Sequence, residues 1–156
     1  MQNYIKSQTR LAFVQYLFQN EFLNADSSES VEDFQKHFYD TNIAIIDDKK
    51  EFRLKFNKNF LNKLFSSLKN NIDKENIIDD LNDFININRK FEKWDNILKS
   101  IIFAIIAELL ITEKNKFKIV FNDYLNISKS LVSQKETKLI NAIIQKYIDK
   151  DEINKK

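Results

Sequence analysis

A single histidine, His37, and two pairs of adjacent carboxylates, Asp47-Asp48 and Asp79-Asp80, are the side chains best suited to acid–base or metal chemistry in this 156-residue chain. A catalytic imidazole needs an organised partner within hydrogen-bond reach, and none is evident for His37. Neighbouring residues on a helix point in different directions, so neither aspartate pair converges on one ion. Asp48 fits better at a helix start, where a carboxylate meets free N–H groups. With no Cys there is no thiolate ligand, disulfide or Cys nucleophile, and with no Gly there is no phosphate-cradling glycine loop. Catalysis, a metal and a cofactor are therefore not expected.

Binding chemistry is better represented. Lys6 and Arg10 are one helical turn apart and share a face. Lys135 and Lys138 fall at the start of a predicted helix, where backbone N–H groups add to an anion site. Either pair alone reads as solvated surface. Brought together by the fold, the two would make one modest basic patch. The chain is rich in aromatics, with 14 Phe, and aromatic platforms can stack single-stranded bases. Most of these rings recur at core spacing, so packing is their default role. Tyr4 and Phe18, near the cations of the first helix, are the exceptions. Net charge is only +2, and the basic residues are 22 Lys and three Arg. Any grip on nucleic acid is thus mostly by point charges rather than bidentate guanidinium contacts.

The elements that position these residues read as helices. Absent Gly and Pro, the tight turns of a many-stranded sheet would be costly. Leu11, Val14, Phe18 and Phe22 form one stripe of a helix over 6–23. A short helix is expected over 31–39, capped by Ser30. Residues 40–50 read as a loop, because the strand-like run Ile43 to Ile46 has no evident partner. A long helix starts near Asp47 or Asp48, with Phe52, Phe56, Phe60, Leu64 and Leu68 stepping by four, and Asn70-Asn71 interrupting it. The helix over 91–112 is the most apolar. Trp94, Leu98, Ile101, Ile105 and Leu109 make its stripe, and Ile102 and Ile106 widen it, so it should lie at the centre. A helix over 117–131 follows. Ser133 and Glu136 match a capping box opening the last helix, and residues 149–156 read as a frayed, charged tail. The apolar run at 101–111 is too short to span a bilayer and no secretory signal is evident, so the cytoplasm is the expected compartment. One domain of about seven helices, spanning 1–156, is the expected architecture.

Several segments, taken in order, resemble the NusB family. The first is Arg10-Leu11-Ala12-Phe13-Val14-Gln15-Tyr16-Leu17-Phe18, similar to that family's opening helix. Leu98-Lys99-Ser100-Ile101-Ile102-Phe103, leading to Glu108-Leu109, is similar to its central helix. Phe121-Asn122-Asp123 and Lys138-Leu139-Ile140-Asn141-Ala142-Ile143-Ile144 are similar to its two closing motifs. Departures are Phe103 for an arginine, Leu139 and Ala142 for Phe and Gly, no Pro near Asn115, and a thin basic arm.

The resemblance implies an all-α bundle of two packed helical subdomains with no reaction to catalyse. It implies transcription antitermination: binding of the boxA element of ribosomal RNA leader transcripts, together with the ribosomal protein NusE, within the RNA polymerase antitermination complex. The RNA-binding residues it implies are Lys6, Arg10, Phe18, Lys135, Lys138 and Asn141. The partner-binding residues it implies are Arg89, Glu92 and Asp95. A homodimer that masks the site stays open. The near-neutral charge and thin arm suggest the alternative, a helical protein–protein scaffold without RNA affinity.

Overall fold

A computed structural model of the chain describes residues 3–19, 43–44, 51–52, 56–84 and 94–154. These contain six α-helices: α1 (Asn3–Leu17), α2 (Lys58–Asn71), α3 (Lys74–Phe84), α4 (Asn96–Leu109), α5 (Phe117–Ser128) and α6 (Gln134–Asn154). The class is all-α. The expected helix over 31–39, with Ser30 and His37, lies outside the described residues, as do Asp47 and Asp48.

The centre is α4. Eleven of its fourteen residues are buried, so its apolar character on every face has a partner on every face. Helices α1, α2, α5 and α6 all pack on it. Trp94, Leu98, Ile101, Ile105 and Leu109 are buried as their spacing requires. Around α4 the other helices form two groups. On one side α1 packs on α2, through edge-on contacts of Phe13 and Tyr16 with Phe65 at centroid distances of 5.6 and 4.5 Å. On the other, α6 packs on α3 and α5.

Local signals place the helix ends. Asn57 caps α2 by accepting the Phe60 N–H at 2.9 Å, and its own N–H donates to Thr9 Oγ1 at 3.0 Å, which ties the cap to α1. The α2 helix stops at Asn71, and Ile72 is extended. Ser133 and Glu136 make the capping box that opens α6. The Ser133 N–H donates to the glutamate carboxylate at 3.1 Å, and the Glu136 N–H donates to the serine hydroxyl at 3.2 Å.

Three expectations change. Ile43–Ala44 does find a partner, pairing antiparallel with Glu51–Phe52 in a register that sets Ile43 opposite Phe52. Phe52 therefore belongs to a strand and Phe56 precedes the helix; the step of four ran past a cap at Asn57. The central helix begins at Asn96 rather than 91, with Trp94 buried just before it. Helical backbone of α6 reaches Asn154.

Candidate nucleic-acid interface

The side chains singled out on α1 go to different places. Lys6 is half-buried at the edge of a hollow, whereas Arg10, one turn on, is buried. The reason lies in what flanks Arg10. Ala12, Phe13 and Val14 drive this part of α1 into the core, and the guanidinium goes in with them.

There it meets two carboxylates from distant parts of the chain. Arg10 Nε and Nη2 donate to Glu108 at 2.8 and 2.6 Å, a bidentate pair with α4. Nη1 donates to Asp123 on α5. Tyr124 Oη donates to Glu108 Oε1 at 2.9 Å, and Ser7 Oγ donates to Asp123 at 2.7 Å. The Arg10 guanidinium also lies 5.5 and 5.7 Å from the ring centroids of Phe60 and Tyr124. Among the described residues no buried side-chain nitrogen or oxygen lacks a partner.

Burial alone would disfavour the charged guanidinium. Hydrogen bonds and the charge of Glu108, then the hydrogen bond to Asp123, outweigh burial and hold Arg10 protonated above its ordinary value. Burial, followed by the charge of Glu108, keeps the Tyr124 phenol neutral well above its usual range. The cluster is a fixed polar clamp joining α1, α4 and α5.

Arg10 is thus corrected as a phosphate contact: three of its nitrogens are engaged by carboxylates in a buried site. Nothing in the spacing of Lys6 and Arg10 separates their fates. A signal was present in Glu108, the one charge within the apolar run at 101–111, which demanded a buried cation. The three motifs that carry Arg10, Glu108 and Asp123 meet in this clamp.

The other candidates are solvent-facing or peripheral. Lys135, Lys138 and Asn141 are exposed on the first turns of α6. The Glu136 carboxylate of the capping box takes up the Ser133 N–H, a group that an incoming anion would use. Phe18 is half-buried, in a wider turn at 18–19 beyond the end of α1, so about twelve residues of helix part it from Lys6. Tyr4 is exposed at the other end. Helix α1 packs chiefly on α2, α4 and α5, and α6 on α3, α4 and α5. The lysines that line the hollow with Lys6 are Lys63 and Lys116; Lys135 and Lys138 are not among its lining residues. Asp95 is exposed at the start of α4, with no side-chain capping bond; Arg89 and Glu92 lie outside the described residues. Of the aspartate pairs, Asp80 is ion-paired with Lys150 at 2.7 Å across α3 and α6. No helix of the described residues is long and apolar enough to cross a membrane.

The fold and the site define a helical bundle built around one enveloped helix, clamped by an arginine–carboxylate cluster and edged with lysines. The sequence model of the NusB family matches residues 7–149, and the chain belongs to that family. It is similar to the transcription antitermination protein NusB of Rickettsia conorii, 28% identical over 142 residues that cover 90% of this chain and 89% of the relative. It is similar over the same extent to the proteins of that name from Rickettsia massiliae, at 27%, and Rickettsia africae, at 28%. No solved structure gives a significant match.

Proposed function

We propose that this chain is a transcription antitermination factor that binds the boxA element of ribosomal RNA leader transcripts together with NusE, as part of the RNA polymerase antitermination complex in the cytoplasm. The observation that carries this reading is the family match across residues 7–149. Near-complete coverage of relatives named as antitermination proteins supports it. The role is binding, without a chemical reaction.

In this reading Lys6, Lys135 and Lys138 meet phosphates, Asn141 meets an RNA edge, and Phe18 offers a ring. Arg10 acts indirectly, holding α1 on α4 and α5 so that Lys6 is presented. Phosphate contacts set register, and bases of the single strand are read by hydrogen bonding and stacking. With so few cations the chain alone binds weakly, and NusE supplies further basic surface. Asp95 at the start of α4 contacts that partner, together with Arg89 and Glu92.

A second reading has a specific observation in its favour. The arginine of the first basic pair is spent inside the fold, which leaves Lys6 as the solvent-reaching cation of that pair. A scaffold that kept the bundle and lost RNA affinity would look the same there. The deciding experiment titrates a boxA-like RNA and a scrambled RNA, with and without the cognate NusE, at two salt concentrations. Preference for the boxA-like RNA, strengthened by NusE, is expected. Equal binding of both RNAs promotes the scaffold. A pull-down of NusE that survives alanine at Arg89, Glu92 and Asp95 together refutes the partner surface.

A further inference from the structure

The clamp binds α1, α4 and α5 to one another, and α2 is tied to α1 through Asn57 and Thr9. Each of these four helices packs on at least two of the others. Helix α3 stands outside that arrangement. Among the described helices, α6 is the one on which α3 packs extensively.

Spacing makes the seam between them. Ile77 and Leu81, four apart on α3, are buried, and Ile78 beside them is half-buried. On α6 the residues Ile140, Ile143 and Ile144 are buried, whereas Tyr147 and Ile148, one turn on, are half-buried. Lys150 Nζ donates to Asp80 at 2.7 Å, which sets α3 against the later turns of α6. The two side chains keep 39% and 36% of their surface exposed, so water screens the pair and it guides the seam rather than fixing it.

The backbone that joins α3 to α2 is not helical. Helix α2 ends at Asn71 and Ile72 is extended. Asp73 then starts a fresh helix: its carboxylate accepts the Asn76 N–H at 3.3 Å, and its carbonyl accepts the Ile77 N–H at 3.0 Å. A break of this kind between two capped ends is where a hinge absorbs backbone rotation.

We infer that α3 is a hinged flap, latched on the later turns of α6, which opens while α1, α2, α4 and α5 stay packed. An element with few buried apolar side chains and an exposed ionic contact opens at lower free energy than a densely packed core. Ile77 and Leu81 anchor α3, whereas eleven of the fourteen residues of α4 are buried. Opening bares Ile77 and Leu81 and leaves Arg10, Glu108 and Asp123 in place. Lys135 and Lys138 precede Lys150 by about three to four helical turns, so the flap changes state without disturbing the first turn of α6. The inference stands apart from the RNA-binding reading.

Hydrogen exchange of the full chain, followed across a series of low urea concentrations, tests it. Amides at 77–84 are expected to exchange through a local opening with a shallow urea dependence, and those of α4 through global unfolding with a steep one. Tyr124→Phe loosens the clamp in the latched and open states alike. Exchange in α4 should then rise roughly five- to thirty-fold while that of α3 is unchanged. Leu81→Ala weakens the seam itself, and exchange in α3 should rise by about thirty-fold or more. Because the chain has no Cys, Asp80→Cys with Lys150→Cys supplies its only two thiols. A short bismaleimide joining them should slow exchange in α3 to that of α4. If α3 shares the urea slope of α4 and quickens with it in Tyr124→Phe, the chain opens only as one unit and the flap is refuted. Amides of α3 that exchange at the rate of an unfolded chain refute it as well, since no latch then holds α3 closed.

Discussion

The junction of α1, α4 and α5 and the first turn of α6 both set basic residues beside carboxylates, and they use them in opposite ways. At the junction a guanidinium is removed from water and bound by Glu108 and Asp123, with Tyr124 and Ser7 filling remaining acceptor sites. At the turn, Lys135 and Lys138 stay in water, and the nearby Glu136 serves the backbone through its capping box. The difference follows from side-chain chemistry and from neighbours. A guanidinium is planar, weakly hydrated and suited to bidentate pairing, so it tolerates burial among carboxylates. An ammonium is strongly hydrated and stays out unless forced. In a chain with 22 Lys and three Arg, the arginine on α1 is a building part of the fold, and the exposed lysines carry the charge that faces water.

Breaking the junction should have the largest effect. Glu108→Ala leaves the Arg10 guanidinium buried with Asp123 alone, and Arg10→Ala leaves two carboxylates without their cation. Either is expected to cost about 3–5 kcal/mol, read as a fall in the urea midpoint at an unchanged slope. A destabilisation below about 1 kcal/mol would mean that water reaches the cluster and screens it. Arg10→Lys sharpens the point: it keeps the charge and removes the fork, and it should be less stable than the unaltered chain by about 1–3 kcal/mol. Any RNA deficit of these variants must be judged against stability, because Arg10 is buried in the junction.

The same contrast shows how far the sequence could be read. Regular elements were legible where one periodicity ran unbroken: the stripe of Leu98, Ile101, Ile105 and Leu109 defined the enveloped helix, and Ser133 with Glu136 marked the start of α6. The reading failed where apolar spacing continued across a change of element. Phe52, Phe56 and Phe60 step by four, yet they lie in a strand, before a cap and within a helix. Spacing reports which residues want burial, not which backbone buries them. The site was less legible still. Sharing a helix face told nothing about depth, and Lys6 and Arg10 differ in depth because one flanks the polar end of α1 and the other its apolar middle. Partners 98 and 113 residues away become visible only once α1, α4 and α5 pack.

A medium effect is expected from Tyr124, the neutral member of the junction. Its phenol is held above the ordinary value of 10.0 by burial and then by the charge of Glu108. A folded value above the unfolded one means that the protonated form is favoured in the fold. That stability is complete below about pH 10 and declines as pH rises through the folded value, since the unfolded chain gives up the proton first. Tyr124→Phe removes one hydrogen bond to Glu108 and should cost about 1–2 kcal/mol at neutral pH. It should also make the alkaline decline in stability shallower. Chemical denaturation across an alkaline pH series checks both, and parallel declines for the two proteins would show that Tyr124 ionises as freely in the fold as out of it.

At the turn the effects shrink, and they separate backbone from charge. Ser133→Ala removes the acceptor for the Glu136 N–H and should cost about 1 kcal/mol, typical of removing a helix cap.

Lys135→Ala with Lys138→Ala should leave stability within about 0.5 kcal/mol, because both side chains are exposed to water. Any change should appear only in RNA binding, as a salt slope reduced by about 0.7 for each phosphate that a lysine no longer neutralises. Thermal melts and RNA titrations on the same samples distinguish the two. A destabilisation near that of Ser133→Ala would mean that these lysines support the first turn of α6. The contrast with the junction would then be one of degree, with both regions using their cations to hold the fold.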